Sequence, residues 1–456
     1  MVDRFWVRQE SLSAPFTLPA LYTSLPPLRD SLVTESSRLL DQTAAECMPY
    51  LTLTKFKTRD LNSHGLQKLR RARHIEFAND SLEELPGYMV VLDASRPWMG
   101  YWGIAALSML RVDLVEEGYR ERTVDTFRAC QNESGGFGGG HGQYSHLACS
   151  YAAVLSLVAV GGEAAYETID RRAMWRWLGR MKQPDGGFTV CEGAEEDVRG
   201  AFCAMVLCSL LNLPLELPPE EMDRVGGDGT LLSGLGEWIS RCQTFEGGLS
   251  DAPNHEAHGA YAFCALGCLC ILGPPHETIP RYLNVDNLLS WLSHRQAVPE
   301  GGFAGRTNKL VDGCYSHWDG GCWALVEAAL ASRGFGGSSS LDSLWDREGL
   351  LRYILCCAQN EWGGLRDKPS KNPDGYHTCY NLAGLSWAQN YHVWNAEKED
   401  IDMTAPLSAP FSWSTTEKPD LPCDEEDRVA PMHPIYVIPH EKATEARNYF
   451  LNRVGF

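Results

Sequence analysis

The sequence has no long apolar run and no CxxC pair, although it holds 16 cysteines among its 456 residues. Nothing approaches the roughly 18 uninterrupted apolar residues of a membrane span, so we expect no integral membrane segment. The N-terminal stretch MVDRFWVRQESLSAPF lacks the apolar core of a secretory signal. These absences predict a cytoplasmic protein with reduced cysteines, which then serve as buried thiols or metal ligands rather than as disulfides.

Basic residues are also scarce, because 40 Lys and Arg stand against 59 Asp and Glu and give a formal charge of −19. So acidic a chain repels a polyanion, and we therefore expect no nucleic acid as a partner. The acidity favours a basic partner, or it simply keeps a large protein soluble. A hydrophobic content of 44% with 10% aromatics is typical of a globular protein.

What the sequence does contain is a repeat. A Gly-Gly pair followed by an aromatic residue or Leu occurs five times, in SGGFGGG, DGGFTV, EGGLSD, EGGFAG and WGGLRD. Each pair follows one apolar segment and precedes another, and these segments are rich in Ala, Leu, Met and Cys. This composition favours helices over strands, so each unit is predicted to be a helix, a Gly-Gly loop and a second helix.

The two helices of a unit differ in polarity. The second is apolar on nearly every face, as in AFCAMVLCSLLNL, and is predicted to be buried. The first keeps charges, as in TIDRRAMWRWLGRMKQ, and should lie outside. Inner and outer helices alternating over five to six units predict an all-α fold, an α/α barrel, with an open solenoid as the alternative. We expect an N-terminal extension at 1–32, the barrel at 33–395, and a partly irregular C-terminal segment at 396–456 that packs on it.

The starts of the inner helices carry a second pattern, an aromatic residue three positions after a variable and mostly polar one. They read ACSY, RGAF, HGAY, DGCY and HTCY, and the variable positions are Ala148, Arg199, His258, Asp312 and His377. Residues three apart share one face of a helix, and a core would make the variable position uniformly apolar. The set therefore predicts that the inner helix ends converge on one pocket, with caps and turns as the alternative for each single position.

Asp312 and Cys314 are candidates for half of a metal site. They are two residues apart, so both can bind one ion only if Gly313 lies outside regular helix. His377, at the start of the next inner helix, is the obvious third ligand. Carboxylate, thiolate and imidazole together suit zinc and leave one position open, but the spacing alone is a weak signal. Two rival ligands stay open, His317 and Cys379.

A basic set near several helix N-termini predicts an anion site, for which diphosphate is an attractive ligand. Its members are Arg199, His258, Arg306 and Lys309, with the Tyr315 hydroxyl beside them. The alternative is that Arg306 and Lys309 are solvated loop charges. Many rings surround this set, namely Trp98, Tyr101, Trp102, Tyr151, Phe202, Tyr261, Trp318 and Tyr380. Aromatic stripes are usually core, but beside an anion site they could instead line a tunnel for a long hydrocarbon.

Several long stretches also resemble a known family, the β subunits of protein farnesyltransferases. The matching stretches are LDASRPWMGYW, GGFGGGHGQYSHLACSYAA, DVRGAFCA, EAHGAYAFCAL, GGFAGRTNKLVDGCYSHW, GGLRDKPSKNPDGYHTCYNLAGLS and HPIYVIP. The resemblance covers the chain from about residue 33 onward. It implies an α/α-barrel subunit that transfers a farnesyl group from farnesyl diphosphate to proteins ending in a CaaX sequence, such as Ras-like small GTPases.

The resemblance implies a role for each matching residue. Asp312, Cys314 and His377 would hold one zinc ion per β subunit, whose fourth position takes the substrate cysteine thiolate. The diphosphate would contact His258, Arg306, Lys309 and Tyr315, and Asp367 would recruit magnesium to it. The isoprenoid cavity would be lined by Trp98, Tyr101, Trp102, Tyr151, Arg199, Phe202, Tyr261, Cys264 and Trp318. The peptide tail would lie near Trp102, His146, Ala148 and Tyr376.

The resemblance also implies an obligate heterodimer. The α subunit of the family supplies a catalytic lysine and part of the peptide site, so this chain alone is expected to be inactive. Two positions depart from the family pattern. Phe202 stands where Tyr is common, and His317 stands where Phe is common, and we expect His317 to point away from the metal.

Other functions compete with this interpretation. The β subunit of type I geranylgeranyltransferase has the same implied fold and zinc ligands, but a small residue in place of Trp98 and no hydroxyl matching Tyr380. Those two residues and Asp367 therefore favour the farnesyl donor. A terpene cyclase would need an acidic DxDD-type cluster, which the sequence lacks. A non-catalytic α/α-barrel binding scaffold is the remaining alternative, and metal analysis would separate it from the enzyme.

Overall fold

A computed structural model describes residues 32–55, 60–226, 229–331, 343–395 and 405–453. The predicted N-terminal extension up to residue 31, the Gly/Ser segment 334–340 and residues 396–404 of the acidic stretch 396–430 lie outside the described residues. The α-helices within the described ranges are, in chain order, α1 Glu35–Leu51, α2 Arg71–Asp80, α3 Arg96–Met109, α4 Tyr119–Arg128, α5 Leu147–Val160, α6 Glu163–Tyr166, α7 Arg171–Met181, α8 Val198–Leu210, α9 Met222–Val225, α10 Leu235–Arg241, α11 Gly259–Leu272, α12 Pro275–Tyr282, α13 Val285–Ser293, α14 Tyr315–Ala331, α15 Arg347–Arg352, α16 Gly375–Gln389 and α17 His440–Leu451.

Shorter elements complete the chain. The 3₁₀ turns are Gly87–Ser95, Pro219–Glu221, Ala409–Ser412 and Glu425–Asp427, and a π-helical turn at Tyr353–Ala358 continues α15. Two strands, β1 Asn390–Trp394 and β2 Trp413–Glu417, pair antiparallel. The predicted boundary between the barrel and the C-terminal segment, at residue 395, falls between these two strands, and this boundary stays a prediction. Helix α17 packs on α5 and α8, and Arg447 donates to the backbone carbonyl of Ser209 at 2.7 Å.

Six helices form a closed inner ring, in the order α3, α5, α8, α11, α14 and α16. Each packs against the next, and α16 packs back against α3. These helices are apolar almost all round because they are covered on every side. In α5, for example, every residue except Ala148 is buried. The ring confirms the predicted α/α barrel and excludes the open solenoid.

The outer helices are amphipathic, as predicted. In α7, Met174, Trp177 and Leu178 are buried, whereas Arg172 and Arg176 on the opposite face are exposed. The outer partners of the six inner helices are α2, α4, α7, α10, α13 and α15. Burial of one apolar stripe therefore sets the two layers of the barrel.

The Gly-Gly loops join each unit to the next. The first glycine of each pair has φ between +83° and +113°, a conformation that other residues rarely adopt. A Cβ at Gly135 would lie 2.1 Å from the carbonyl oxygen of Ala173 in α7, and one at Gly363 would lie 2.5 Å from that of Arg73 in α2. The loop of the last unit thus packs on the outer helix of the first, which closes the barrel.

A glutamine side chain strengthens the same junction. Gln359 accepts the N–H of Arg70 at 2.8 Å and donates to the carbonyl of Lys68 at 3.0 Å. Gln131 makes the corresponding pair of bonds ahead of α7, at 2.9 and 2.8 Å. The junction between the last and first units therefore has the same type of glutamine hydrogen bonds as the junction between consecutive units.

The register of the inner helices differs from the predicted one. Each of the five Gly-Gly units has one capping residue at the start of its inner helix. The backbone N–H of this residue donates to the carbonyl of the aromatic residue or Leu that follows the two glycines, and the side chain of the same residue caps the inner helix. These equivalent residues are His146, Asp197, His258, Asp312 and Asp374. The predicted equivalence was therefore wrong at three positions, since Ala148 and Arg199 lie two residues after the cap and His377 lies three after it.

The error has a physical reason. Aromatic residues recur at two places on the inner helices, three residues after the cap at Tyr261 and Tyr315 and five residues after it at Tyr151 and Phe202. Aligning the helices on their aromatic residues therefore superposes two different helix positions, and the pattern alone fits two registers. The polar residues in question all lie at or next to the first turns of the inner helices, and their convergence on one pocket stays a prediction.

The 16 cysteines all lie within the described ranges and are free, and 15 of them are buried. This confirms the prediction of thiols rather than disulfides. No helix of the described residues combines the length and the apolar character that a membrane crossing requires.

Candidate active site

Three side chains from two units meet at the ring end where the inner helices begin. The ligand atoms of Asp312, Cys314 and His377 all lie within 4.8 Å of one another, and His377 Nε2 is 3.1 Å from Asp312 Oδ1. Asp312 caps α14, Cys314 directly precedes that helix, and His377 lies in the first turn of α16. The predicted ligand set is therefore brought together.

Gly313 permits this arrangement because it lies outside the helix, which begins at Tyr315. Its N–H donates to the carbonyl of Asp367 at 2.8 Å. A Cβ there would lie 2.5 Å from Asn381 Nδ2 and 2.6 Å from the carbonyl oxygen of Arg366. The close approach of α16 thus requires glycine at this position, and the expected non-helical backbone is confirmed.

Asp374 supports the cluster from behind. Its Oδ2 lies 2.7 Å from His377 Nδ1, which leaves Nε2 directed at Asp312. Burial alone would lower the pKa of His377, but the hydrogen bonds to Asp312 and Asp374 raise it to about 9. Burial raises the pKa of the Cys314 thiol, and the Asp312 carboxylate raises it further. Without a metal, these groups thus hold two protons that ligation would displace.

The two rival ligands lie elsewhere. His317 is 1% exposed and its Nδ1 faces Trp387 Nε1 at 3.0 Å. Cys379 is fully buried, and neither residue joins the metal-ligand group found among the described residues. The expectation that His317 points away from the metal is confirmed.

Beside the cluster, His258 and Tyr315 are paired. The Nδ1 of His258 accepts the N–H of Ala260 at 3.1 Å, so the ring proton is on Nε2, which lies 3.0 Å from the Tyr315 oxygen. Burial and the neighbouring Arg306 lower the pKa of His258 to about 4. The neutral imidazole therefore donates to Tyr315 and leaves the phenolic hydrogen available to another acceptor.

The cations of this region have acidic partners that sequence reasoning missed. Arg199 is paired with Asp197, and its guanidinium lies 5.1 Å from the ring centroid of Tyr261. Arg306 Nη1 contacts Glu256 Oε2 at 2.8 Å. Lys309 is exposed in the same loop as Arg306. The partner of Arg306 is 50 residues away in sequence, and no local signal pointed to it.

Asp367 also has an unpredicted partner. The ammonium of Lys368 lies 2.6 Å from both carboxylate oxygens, and the two side chains are only 9% and 15% exposed. Burial and the nearby Asp312 carboxylate raise the pKa of Asp367. The carboxylate that is predicted to recruit magnesium is thus already paired with the ammonium of Lys368.

The interior of the barrel is lined by a closed circuit of rings, which we call the aromatic belt. Neighbouring ring centroids are 4.6 to 5.9 Å apart. In order around the barrel the members are Trp98, Tyr151, Phe202, Phe263, Trp318, Tyr380, Tyr376 and Trp102. Tyr101 packs inside it against Trp98 and Tyr151, at 5.8 and 6.0 Å. Every predicted ring except Tyr261 belongs to this group, and Phe263 was missed.

Comparisons with known proteins agree with this geometry. The profile of the prenyltransferase alpha-alpha toroid domain matches residues 69–438. The protein farnesyltransferase subunit beta of Pyricularia oryzae is 52% identical over 447 residues, which cover 96% of this chain and 85% of that protein. The chain belongs to the protein farnesyltransferase β-subunit family. Another member, from Schizosaccharomyces pombe, is 36% identical and covers 92% of this chain and 98% of its own length.

The wider family shares the fold at lower identity. The geranylgeranyl transferase type-1 subunit beta of Arabidopsis thaliana is 27% identical over 343 residues, which cover 69% of this chain and 84% of that protein. The solved structure of Candida albicans protein geranylgeranyltransferase-I complexed with GGPP matches with a TM-score of 0.60 at 21% identity, covering 85% of this chain and all of that one. The solved structure shows the shared fold alone. The family profile and the identity to the farnesyltransferase β subunits make the chain a subunit of a protein prenyltransferase, an enzyme and not a bare scaffold.

The remaining predicted residues lie in the inner helices of this farnesyltransferase-family subunit or directly before them. His146 caps α5 and accepts the N–H of Ala148 at 3.0 Å. Tyr376 accepts the indole N–H of Trp318 at 3.1 Å and packs edge-on against Trp102 at 5.4 Å. Cys264 is buried in α11. Of the residues predicted to contact the peptide, His146 and Ala148 lie at the start of α5, whereas Trp102 and Tyr376 belong to the aromatic belt.

Proposed function

We propose that the chain is the catalytic β subunit of an enzyme that transfers a farnesyl group from farnesyl diphosphate to the cysteine of proteins with a C-terminal CaaX sequence. The observation that carries this proposal is the meeting of three unlike elements at one end of the barrel. A cluster of Asp312, Cys314 and His377 lies beside the His258–Tyr315 pair, because Cys314 and Tyr315 are adjacent, and the cluster borders the aromatic belt at Tyr376. Metal ligands, donors for an anion and a hydrocarbon lining are what this transfer requires.

The donor set fits a zinc ion. One carboxylate, one thiolate and one imidazole give three ligands and leave a position for a substrate. Asp374 would orient His377 through the hydrogen bond at 2.7 Å, as outer carboxylates do for metal-bound histidines. A bound zinc ion would lower the pKa of the substrate thiol, so that a nucleophile exists at neutral pH.

The diphosphate would be held by His258, Arg306, Lys309 and Tyr315. The Tyr315 hydroxyl can donate because His258 fills its acceptor side. Arg306 would have to share or leave Glu256 to reach the diphosphate, and Lys309 is exposed beside it. These donors would stabilise the charge that develops when the carbon–oxygen bond of the donor breaks. Asp367 would bring magnesium to the same group, in competition with Lys368.

The chain length of the donor follows from the bulk of the belt. Trp98 and Tyr380 both project into the interior, and Tyr380 is only 2% exposed. Large rings at these positions shorten the space for a chain and favour fifteen carbons over twenty. Trp98→Thr should therefore shift preference toward the twenty-carbon donor.

A full enzyme requires further partners. We propose an α subunit that completes the peptide site, and substrates of the Ras-like small GTPase kind. A cytoplasmic location belongs to the same proposal. A free thiol at every cysteine supports it.

Co-expression tests the proposal. The chain is produced with and without a farnesyltransferase α subunit, and transfer to a CaaX peptide is measured with farnesyl and geranylgeranyl diphosphate in competition. We expect transfer only from the complex, with preference for farnesyl. Preference for the twenty-carbon donor would overturn the assignment of the substrate, and the absence of transfer from an intact complex would overturn the function.

A further inference from the structure

His317 packs against three members of the aromatic belt, Phe263, Trp318 and Tyr380, at a helix position where other units carry a six-membered aromatic ring. His317 lies five residues after the capping residue of its unit, Asp312, and Tyr151, Phe202 and Phe263 lie five residues after the capping residues of theirs. His317 is only 1% exposed, and among the described residues no charged group shifts its pKa, which burial alone lowers. An imidazole in such a place costs desolvation, which lowers its pKa to about 3 and keeps it neutral.

The ring of His317 is held by one directional bond. The indole of Trp387 can only donate, so Nδ1 of His317 is the acceptor in their 3.0 Å contact. Trp387 is fully buried in α16, whereas His317 belongs to α14. The bond therefore ties two neighbouring inner helices together inside the barrel and sets the orientation of the imidazole.

The oriented imidazole in turn supports Tyr380. The two rings are stacked, with centroids 4.8 Å apart and planes inclined by 17°. Phe263 packs edge-on against the other side of His317 at 4.6 Å. Tyr380 thus contacts His317 and also the rings of Trp318 and Tyr376, at 4.6 and 4.8 Å.

We propose that His317 is a positioning residue for donor selectivity: anchored by Trp387, it holds the Tyr380 ring where that ring limits the length of the isoprenoid. Phenylalanine, which is common at this position in the family, could stack on Tyr380, but in this chain it would leave the buried N–H of Trp387 without its acceptor and the ring at residue 317 without its anchor. This inference rests on the proposed function, because it assigns the selectivity of the same cavity. It adds Trp387, which the resemblance did not assign to the cavity.

The test compares single and double variants of the pair in the complex with an α subunit. His317→Phe keeps a ring but loses the acceptor, and Trp387→Phe keeps a ring but loses the donor. Farnesyl and geranylgeranyl diphosphate compete in one tube, so the ratio of products does not depend on how much of a variant is folded. Each single variant is expected to shift the ratio toward the longer donor by about threefold to tenfold.

The double variant separates positioning from general damage. Since both single changes break one bond, the double change should shift the ratio no further than either alone. Thermal unfolding of the parent, the two single variants and the double variant should show the same non-additivity, so that the double variant loses no more stability than either single variant. Trp98→Thr serves as the control that the assay detects a longer cavity.

The outcomes are distinct. Ratios in both single variants that stay within about twofold of the parent, while Trp98→Thr shifts, would overturn the inference alone. Additive shifts in the double variant would show that the two residues act separately and would also overturn it. A parent complex that transfers neither donor would overturn the proposed function, and this inference with it.

Discussion

His377 Nε2 lies 3.1 Å from Asp312 Oδ1, although the two residues are 65 positions apart and belong to different units. The contact exists because the inner helices α14 and α16 begin at the same end of the ring and pack side by side. Asp312 caps α14 and His377 lies in the first turn of α16, where their side chains stay 27% and 17% exposed, whereas Cys314 beside them is buried. The closed barrel thereby brings residues from separate repeat units together in one site.

Zinc content is the most direct check of the cluster. We expect about one zinc ion per chain in the purified complex and its loss in Cys314→Ala and His377→Ala, because two ligands cannot hold the ion tightly. Elemental analysis after dialysis measures this. Cys379→Ala, which removes a buried thiol outside the cluster, is the matched control and should retain zinc. Zinc retained in both ligand variants would contradict the assignment.

Asp374 should matter for the metal without touching it. Asp374→Asn removes the carboxylate that orients His377 at 2.7 Å, and we expect zinc affinity to fall by about tenfold to a hundredfold. Competition with a chromophoric chelator measures the affinity. Asp170→Asn changes a capping aspartate of the outer helix α7 and should leave the affinity unchanged. An unchanged affinity in Asp374→Asn would mean that the carboxylate only caps its helix.

Lys368 should set the magnesium requirement. Its ammonium is 2.6 Å from both oxygens of Asp367, so a divalent cation has to displace it. We expect Lys368→Gln to lower the magnesium concentration for half-maximal transfer by about tenfold, which corresponds to roughly 1.4 kcal/mol of competing interaction. Manganese binding followed by electron paramagnetic resonance gives a readout apart from activity. Lys371→Gln, an exposed lysine in the same loop, should change neither quantity.

His74 predicts a pH dependence of stability. Burial lowers its pKa from 6.5 to about 4 in the folded protein, where it contacts Gln359 Oε1 at 2.9 Å. The unfolded chain therefore binds more protons between pH 4 and 6.5, and stability is lost as the pH falls through that window. At most about 3 kcal/mol of the unfolding free energy depends on this group.

The measurement is urea unfolding of the complex at several pH values. His74→Phe should flatten the acid side of the profile relative to the parent, since Gln359 Oε1 keeps its bond to the Arg70 N–H. The exposed His141→Phe is the control. A profile for His74→Phe that still parallels the parent below pH 6.5 would contradict the prediction.

The sequence by itself determined the layers, the repeat and the ligand types. Burial of an apolar stripe is a local property, so the polarity of each segment predicted inner and outer helices correctly. The Gly-Gly pairs and Gly313 were likewise readable, because a positive φ or a close backbone contact leaves few other residues possible.

Only the tertiary structure decided the register of the inner helices and the pairing of the charges. Some helices carry the ring three residues after the cap and others five residues after it, and the backbone hydrogen bonds of the capping residues were needed to align them. Arg306 meets Glu256 and His317 meets Trp387 across 50 and 70 residues. Such contacts depend on how whole helices stack and close into a ring, which no local preference along the chain specifies.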